Sequence, residues 1–158
     1  MLLDLLFPPR ATELLVRNTT TLLPYLAPHT LGNGIVILLP YDEPRVRAAI
    51  LEAKFHENRQ AAELLGNALA HYLSLEIADR DLYEHTEYRL VPLPGTERMA
   101  KVASALLAIP LESLGAPKDP CVTYAVIDDS TTPLLKAAEV LKEAGVRRVD
   151  MLALSGRI

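Results

Sequence analysis

The residues best suited to chemistry are Val126-Ile-Asp-Asp-Ser-Thr-Thr132, a hydrophobic run that ends in two acids and three hydroxyl side chains. It reads as the carboxyl end of a buried strand, with a helix predicted over residues 133–144. In open parallel sheets, ligands bind just outside the carboxyl ends of the strands. A helix N-terminus there offers unpaired N–H groups and the positive end of its dipole, which suits a phosphate. Ser130, Thr131 and Thr132 add hydroxyl donors, while Asp128 and Asp129 can accept hydrogen bonds from a vicinal diol. Two carboxylates would repel a bare anion but fit a sugar phosphate, so the inferred ligand is a ribose 5-phosphate group. The competing reading is local: Asp129 or Ser130 caps the helix, and the threonines complete a tight turn.

The elements that would position this loop follow from periodicity and punctuation. Residues 1–34 form an irregular N-terminal hood, interrupted by Pro8, Pro9, Pro24 and Pro28, with short helical turns near 14–16 and 22–26. Gly32-Asn-Gly34 opens a buried strand over 35–39 that stops at Pro40. Asp42 can cap the next helix, where Pro44 loses no needed N–H and Val46, Ile50 and Ala53 share a face. A second helix is predicted over 58–77, with Ala61, Leu64, Leu65, Ala68 and Tyr72 inward, followed by a charged connector over 79–84.

Residues 89–93 read as a strand, and a further helix places Met99, Val102, Ala103 and Leu106 on one side. A loop over 115–120 leads to strands over 122–127 and 149–154, joined by the helix that Gly145 closes. A strand–helix–strand unit of this length is a right-handed crossover between parallel strands. The expected fold is one α/β domain over 1–158 with a doubly wound, mostly parallel sheet. Its segments are the hood at 1–34, a strand-and-helix part at 35–86 and the α/β core at 87–158.

Several segments taken together resemble the ComF branch of the type I phosphoribosyltransferase-like proteins. The acid-pair loop is similar to that family's phosphoribosyl-pyrophosphate loop. Leu5-Leu-Phe-Pro-Pro-Arg10 resembles its N-terminal opening, and Tyr41 through Phe55 with residues 61–69 its helical segment. Leu90-Val-Pro-Leu-Pro94 resembles the strand leading to its pyrophosphate loop, and Leu141-Lys-Glu-Ala-Gly145 its usual helix end. These pieces cover most of the chain in the family's order.

The resemblance implies a Mg²⁺-bound pyrophosphate leaving the ribose C1 as a nitrogenous base adds, with the protein supplying position and charge stabilisation. Asp128 and Asp129 would hold the ribose hydroxyls as catalytic residues, and Ser130, Thr131 and Thr132 the 5′-phosphate. Pro94, Gly95 and Thr96 would meet the pyrophosphate, with Arg98 nearby. Lys54 would face the same group, or else stand as a solvated lysine favoured by a helix C-terminus. Mg²⁺ would be held mainly by substrate oxygens and water, with Asp128 or Asp129 as the protein's contribution.

The chain departs from the pattern in three places. Pro133 replaces a glycine-like turn residue, Met99 follows Arg98 directly where the family has a basic flexible loop, and residues 115–120 replace an arginine-rich segment. These departures support a second expectation, a non-catalytic module that keeps the fold and binds a protein of the competence machinery.

Composition narrows the remaining classes. The net charge of −4 disfavours direct nucleic-acid binding, and the absence of Trp leaves little for base stacking. One cysteine, Cys121, excludes an internal disulfide or a Cys-rich zinc site, and it is expected to pack at the start of a buried strand. His29, His56, His71 and His85 show no metal-ligand spacing, and Arg147-Arg148 reads as a solvated turn. No apolar run spans a bilayer, so a cytoplasmic domain is expected, with phosphoribosyl pyrophosphate or another ribose phosphate as ligand and a homodimer as the oligomer to test.

Overall fold

A computed structural model describes residues 2–82 and 86–157. His85 and the end of the predicted charged connector lie outside the described residues. The chain folds into a mixed α/β structure with one five-stranded sheet in the order β1-β2-β5-β4-β3. The strands are β1 (His29–Thr30), β2 (Ile35–Pro40), β3 (Tyr88–Pro92), β4 (Thr123–Asp128) and β5 (Arg148–Gly156). All adjacent pairs are parallel except β1–β2. Because β2 pairs with β5, residues 35–86 and 87–158 share one sheet. Every residue of β4 is buried, which is why its sequence is a continuous apolar run rather than an alternating one.

The helices are α1 (Leu2–Leu6), α2 (Ala11–Arg17), α3 (Pro44–Phe55), α4 (Arg59–Asp81), α5 (Glu97–Leu107) and α6 (Thr132–Glu143). α2 through α5 pack on one face of the sheet with Leu90, Ala125, Ile127, Leu152 and Leu154. α6 packs alone on the other, placing Leu134, Ala137 and Leu141 against Ile37, Val126 and Ala153. Helices on both faces are what the sequence predicted. None of the described helices is long and apolar enough to cross a membrane.

Connection handedness locates the topological switch point of the sheet. β3–α5–β4 and β4–α6–β5 step across the sheet in the same direction, yet α5 and α6 lie on opposite faces. Two such crossovers cannot share one hand, although parallel crossovers are almost always right-handed. Residues after α5 resolve the conflict. Leu111 forms a parallel bridge with Leu90 on the outer edge of β3, where Leu90 N–H donates to Pro110 O (3.0 Å) and Glu112 N–H to Leu90 O (2.9 Å). Thus α5 first carries the chain outward to a strand position reduced to one bridge. A separate loop, whose Leu114 packs on the α6 side, then returns it to β4. Connections from β3 and β4 therefore leave in opposite directions, and the topological switch point lies between their carboxyl ends.

Several local expectations are corrected. Glu43, not Asp42, caps α3, its carboxylate accepting from Arg45 N–H at 3.4 Å. α4 runs through Asp81, absorbing the first half of the expected connector, because Arg80 pairs with Glu76 and Asp150 and Ile77 packs on the core. Leu106 is exposed rather than buried, since only Met99, Ala100 and Ala103 of α5 lie fully inside. Cys121 is also exposed, in a turn before β4.

The hood is more regular than its prolines suggest. Arg10 donates two hydrogen bonds to fully buried Glu52 on α3 (3.0 and 2.8 Å), and Thr12 donates a third (2.6 Å). Those bonds anchor α2 and bring Val16 and Leu22 into the core.

Candidate functional site

The acid-pair loop leaves β4 at Asp128 and enters α6 at Thr132. Asp128 is buried, with 3% of its surface exposed. Its carboxylate accepts from the Ser130 N–H (3.1 Å) and the Ser130 hydroxyl (2.9 Å), closing a tight turn within the loop. Burial pushes its pKa up, the Ser130 hydrogen bonds oppose that rise, and neighbouring Asp129 adds to it.

Asp129 lies beside Asp128 and also meets the end of α3. Its carboxylate lies 2.8 Å from the Lys54 ammonium at the end of α3, and its backbone carbonyl accepts from Ser155 N–H at 3.4 Å. The hydrogen bond to Asp129 raises the Lys54 pKa, burial acts against this, and the Asp129 and Asp128 charges reinforce it. Lys54 is thus neither simply solvated nor remote from the loop: a residue more than seventy positions earlier in the chain meets the second acid.

Thr131 precedes α6 without a side-chain capping bond, and Thr132 is exposed in the first turn. Pro133 sits in that turn, where its missing N–H costs the helix nothing but removes one donor from any phosphate cradle. Leu134 turns inward to the core and does not fill the loop. Neither Asp129 nor Ser130 caps the helix, since Thr131 holds the cap position.

At the end of β3, Gly95 adopts φ +94, which a side chain would strain, and a Cβ there would meet only open space. Its N–H donates to the Glu97 carboxylate at 2.9 Å. Thr96 is buried, its hydroxyl 2.8 Å from Leu93 O and 3.2 Å from Ile127 O, so its one proton ties the ends of β3 and β4 together. Pro94 is exposed beside them. Arg98 is directed to the α3–α4 junction, donating to Glu57 O (2.8 Å) and lying 3.3 Å from the Glu57 carboxylate.

The fold therefore brings Asp128, Asp129, Ser130, Thr131, Thr132 and Lys54 into one neighbourhood beside Gly95 and Thr96, and engages Arg98 elsewhere. Ser155 and Glu97 were missed. Ser155 carried no local signal, but Glu97 follows the predicted turn directly and accepts from the Gly95 N–H. Among the described residues, no group of three or more His, Cys, Asp or Glu side chains gathers around a common point.

Comparison with known proteins finds no family model that matches the chain and no curated protein similar to it.

Proposed function

We propose that the chain is a phosphoribosyltransferase-like protein of the ComF type that binds a ribose 5-phosphate group, as phosphoribosyl pyrophosphate with Mg²⁺, at the carboxyl ends of β3 and β4. The observation that carries the reading is the coincidence of two independent features. The topological switch point falls between β3 and β4, and the one loop combining adjacent carboxylates, three hydroxyls and a helix N-terminus leaves β4 at that point.

In this reading the ribose hydroxyls displace Ser130 from Asp128, and the phosphate takes the N–H and hydroxyl groups of Thr131 and Thr132. Lys54 moves from Asp129 to the pyrophosphate. Mg²⁺ would be held by pyrophosphate oxygens and water, with one carboxylate of the pair contributing. That division fits a loop offering only two acids. Transfer of the phosphoribosyl group to or from a nitrogenous base would follow from such binding.

A second reading, a non-catalytic module serving a protein partner, is favoured by a different observation. Both carboxylates are satisfied internally, by Ser130 and by Lys54, and Arg98 is engaged with Glu57.

Calorimetric titration separates the two. Phosphoribosyl pyrophosphate with Mg²⁺ should bind saturably to the unaltered chain and not to Asp128→Asn/Asp129→Asn. Absence of binding by the unaltered chain sinks the ligand-binding reading and leaves the module.

A further inference from the structure

The amino end of the sheet holds an opening unrelated to the acid-pair loop. It is a cavity of about 260 Å³ where β4 and β5 begin, with Cys121, Val122, Thr123, Arg147 and Arg148 in its walls. The six residues of β4 separate it from the acid-pair loop, about 20 Å at the usual rise of a strand. None of its lining residues enters the proposed function.

Two observations say what the cavity can take. The first is charge. Arg147 and Arg148 both line it, and no acid is among the described lining residues. The Arg147 side chain makes no ion pair or hydrogen bond among the described residues. Asp119, two residues before Cys121, has its carboxylate turned to the Cys121 N–H at 2.9 Å.

The second observation is a buried hydroxyl. Thr123 is 1% exposed and stands beside Arg148 in the register of β4 and β5. Its N–H donates to Glu87 O (2.8 Å), but its hydroxyl has no partner among the described residues. Buried polar groups are almost always paired, so an unpaired one lining a cationic cavity marks the place of an acceptor. Two guanidinium groups and a hydroxyl suit a tetrahedral oxyanion with two charges better than a planar one with a single charge. The volume lies below the roughly 300 Å³ at which pockets for drug-sized ligands begin, so the occupant is small.

We infer that this cavity binds a phosphate group, as the free ion or as a small phosphomonoester. Arg147 and Arg148 meet its charge, and the Thr123 hydroxyl donates to one of its oxygens. The site lies at the opposite end of the sheet from the ribose-phosphate reading and does not rest on it.

The test titrates inorganic phosphate, glycerol 3-phosphate and acetate into the full chain at constant ionic strength, followed by amide NMR. The two phosphate ligands should saturate, with shifts centred on residues 121–123 and 147–148, and bind about tenfold or more tightly than acetate. Arg147→Gln should weaken both about tenfold, the worth of one charge-assisted contact. Thr123→Val should weaken them about fivefold without lowering the unfolding midpoint, because the hydroxyl it removes has no partner in the described protein. Cys121, the single cysteine, gives a second readout: its alkylation by iodoacetamide should slow as the cavity fills, with the same midpoint. Tighter binding of glycerol 3-phosphate assigns the ester, and equal or weaker binding assigns the free ion. Acetate binding as tightly as phosphate, shifts centred on residues 128–132, indifference to Arg147→Gln, or no saturation would each overturn the assignment. Asp128→Asn/Asp129→Asn should leave this binding intact, so its failure is distinct from failure of the proposed function.

Discussion

The Lys54 ammonium lies 2.8 Å from the Asp129 carboxylate, joining the end of α3 to the loop between β4 and α6. Lys54 is about half exposed, so the pair contributes little to folding, on the order of 0–1 kcal/mol. Its importance would be to ligand binding, where the lysine exchanges one anion for another. Lys54→Met should therefore leave the unfolding midpoint almost unchanged. In calorimetry it should weaken phosphoribosyl pyrophosphate binding by roughly ten- to a hundredfold, the usual worth of a hydrogen bond to a charged group. Affinity unchanged in the variant would remove Lys54 from the pyrophosphate.

Asp128 gives a pH dependence of unusual sign for an acid. Its folded pKa is raised, mainly by burial, so between the unfolded and folded values the native state holds more protons than the unfolded chain. Stability from this group is present below the unfolded pKa and is lost as pH rises through the folded one. Asp128→Asn retains an acceptor for Ser130 without the buried charge. At pH 7 it should be as stable as the unaltered chain, or up to about 1 kcal/mol more stable, with the gain vanishing toward pH 4. Urea denaturation at the two pH values measures this, and a loss of stability at pH 7 would contradict it.

What the sequence revealed of this protein follows how local each feature is. The β2, β4 and β5 strands and the α4 face are written in runs of adjacent or periodic apolar residues, and their placement needed no tertiary information. The loop at Asp128 was legible for the same reason, its acids and hydroxyls being contiguous. The contacts that decide its state were not. Lys54 and Ser155 reach it from other elements; the resemblance marked Lys54, but nothing in its neighbours marks Ser155. The reduced strand at Leu111 was also hidden, because one bridge has no periodicity to read. In the hood, prolines suggested irregularity, whereas the anchor at Glu52 lies some forty residues away in the chain.

That anchor should appear in acid. Glu52 is fully buried, and its pKa is lowered to about 2, first by the Arg10 hydrogen bonds, against burial, and then by Thr12. An unfolded glutamate titrates near 4.3, so the stabilisation is complete above that value and disappears as pH falls through about 2. Because Arg10 is half exposed, its loss to solvent softens the cost, and about 2–3 kcal/mol is at stake. Glu52→Gln should lower stability at pH 7 by that amount and flatten the acid limb of the stability–pH curve. An unchanged acid limb would show that other carboxylates govern it.

The packing of α4 on α5 depends on a glycine in a helix interior, where alanine would ordinarily be favoured by about 1 kcal/mol. A Cβ on Gly66 would stand 2.5 Å from Val102 Cβ and 2.8 Å from the Met99 carbonyl oxygen. A rotamer change cannot relieve contact with a backbone oxygen or another Cβ, so the helices must separate. Overpacking of this kind costs about 1–3 kcal/mol and outweighs the propensity gain. Gly66→Ala should therefore destabilise the chain, and it should cost less in a Val102→Gly background, where the Cβ that forms the nearer obstacle is gone. An equal cost in both backgrounds would mean that the two helices are not in the close contact seen between Gly66 and Val102.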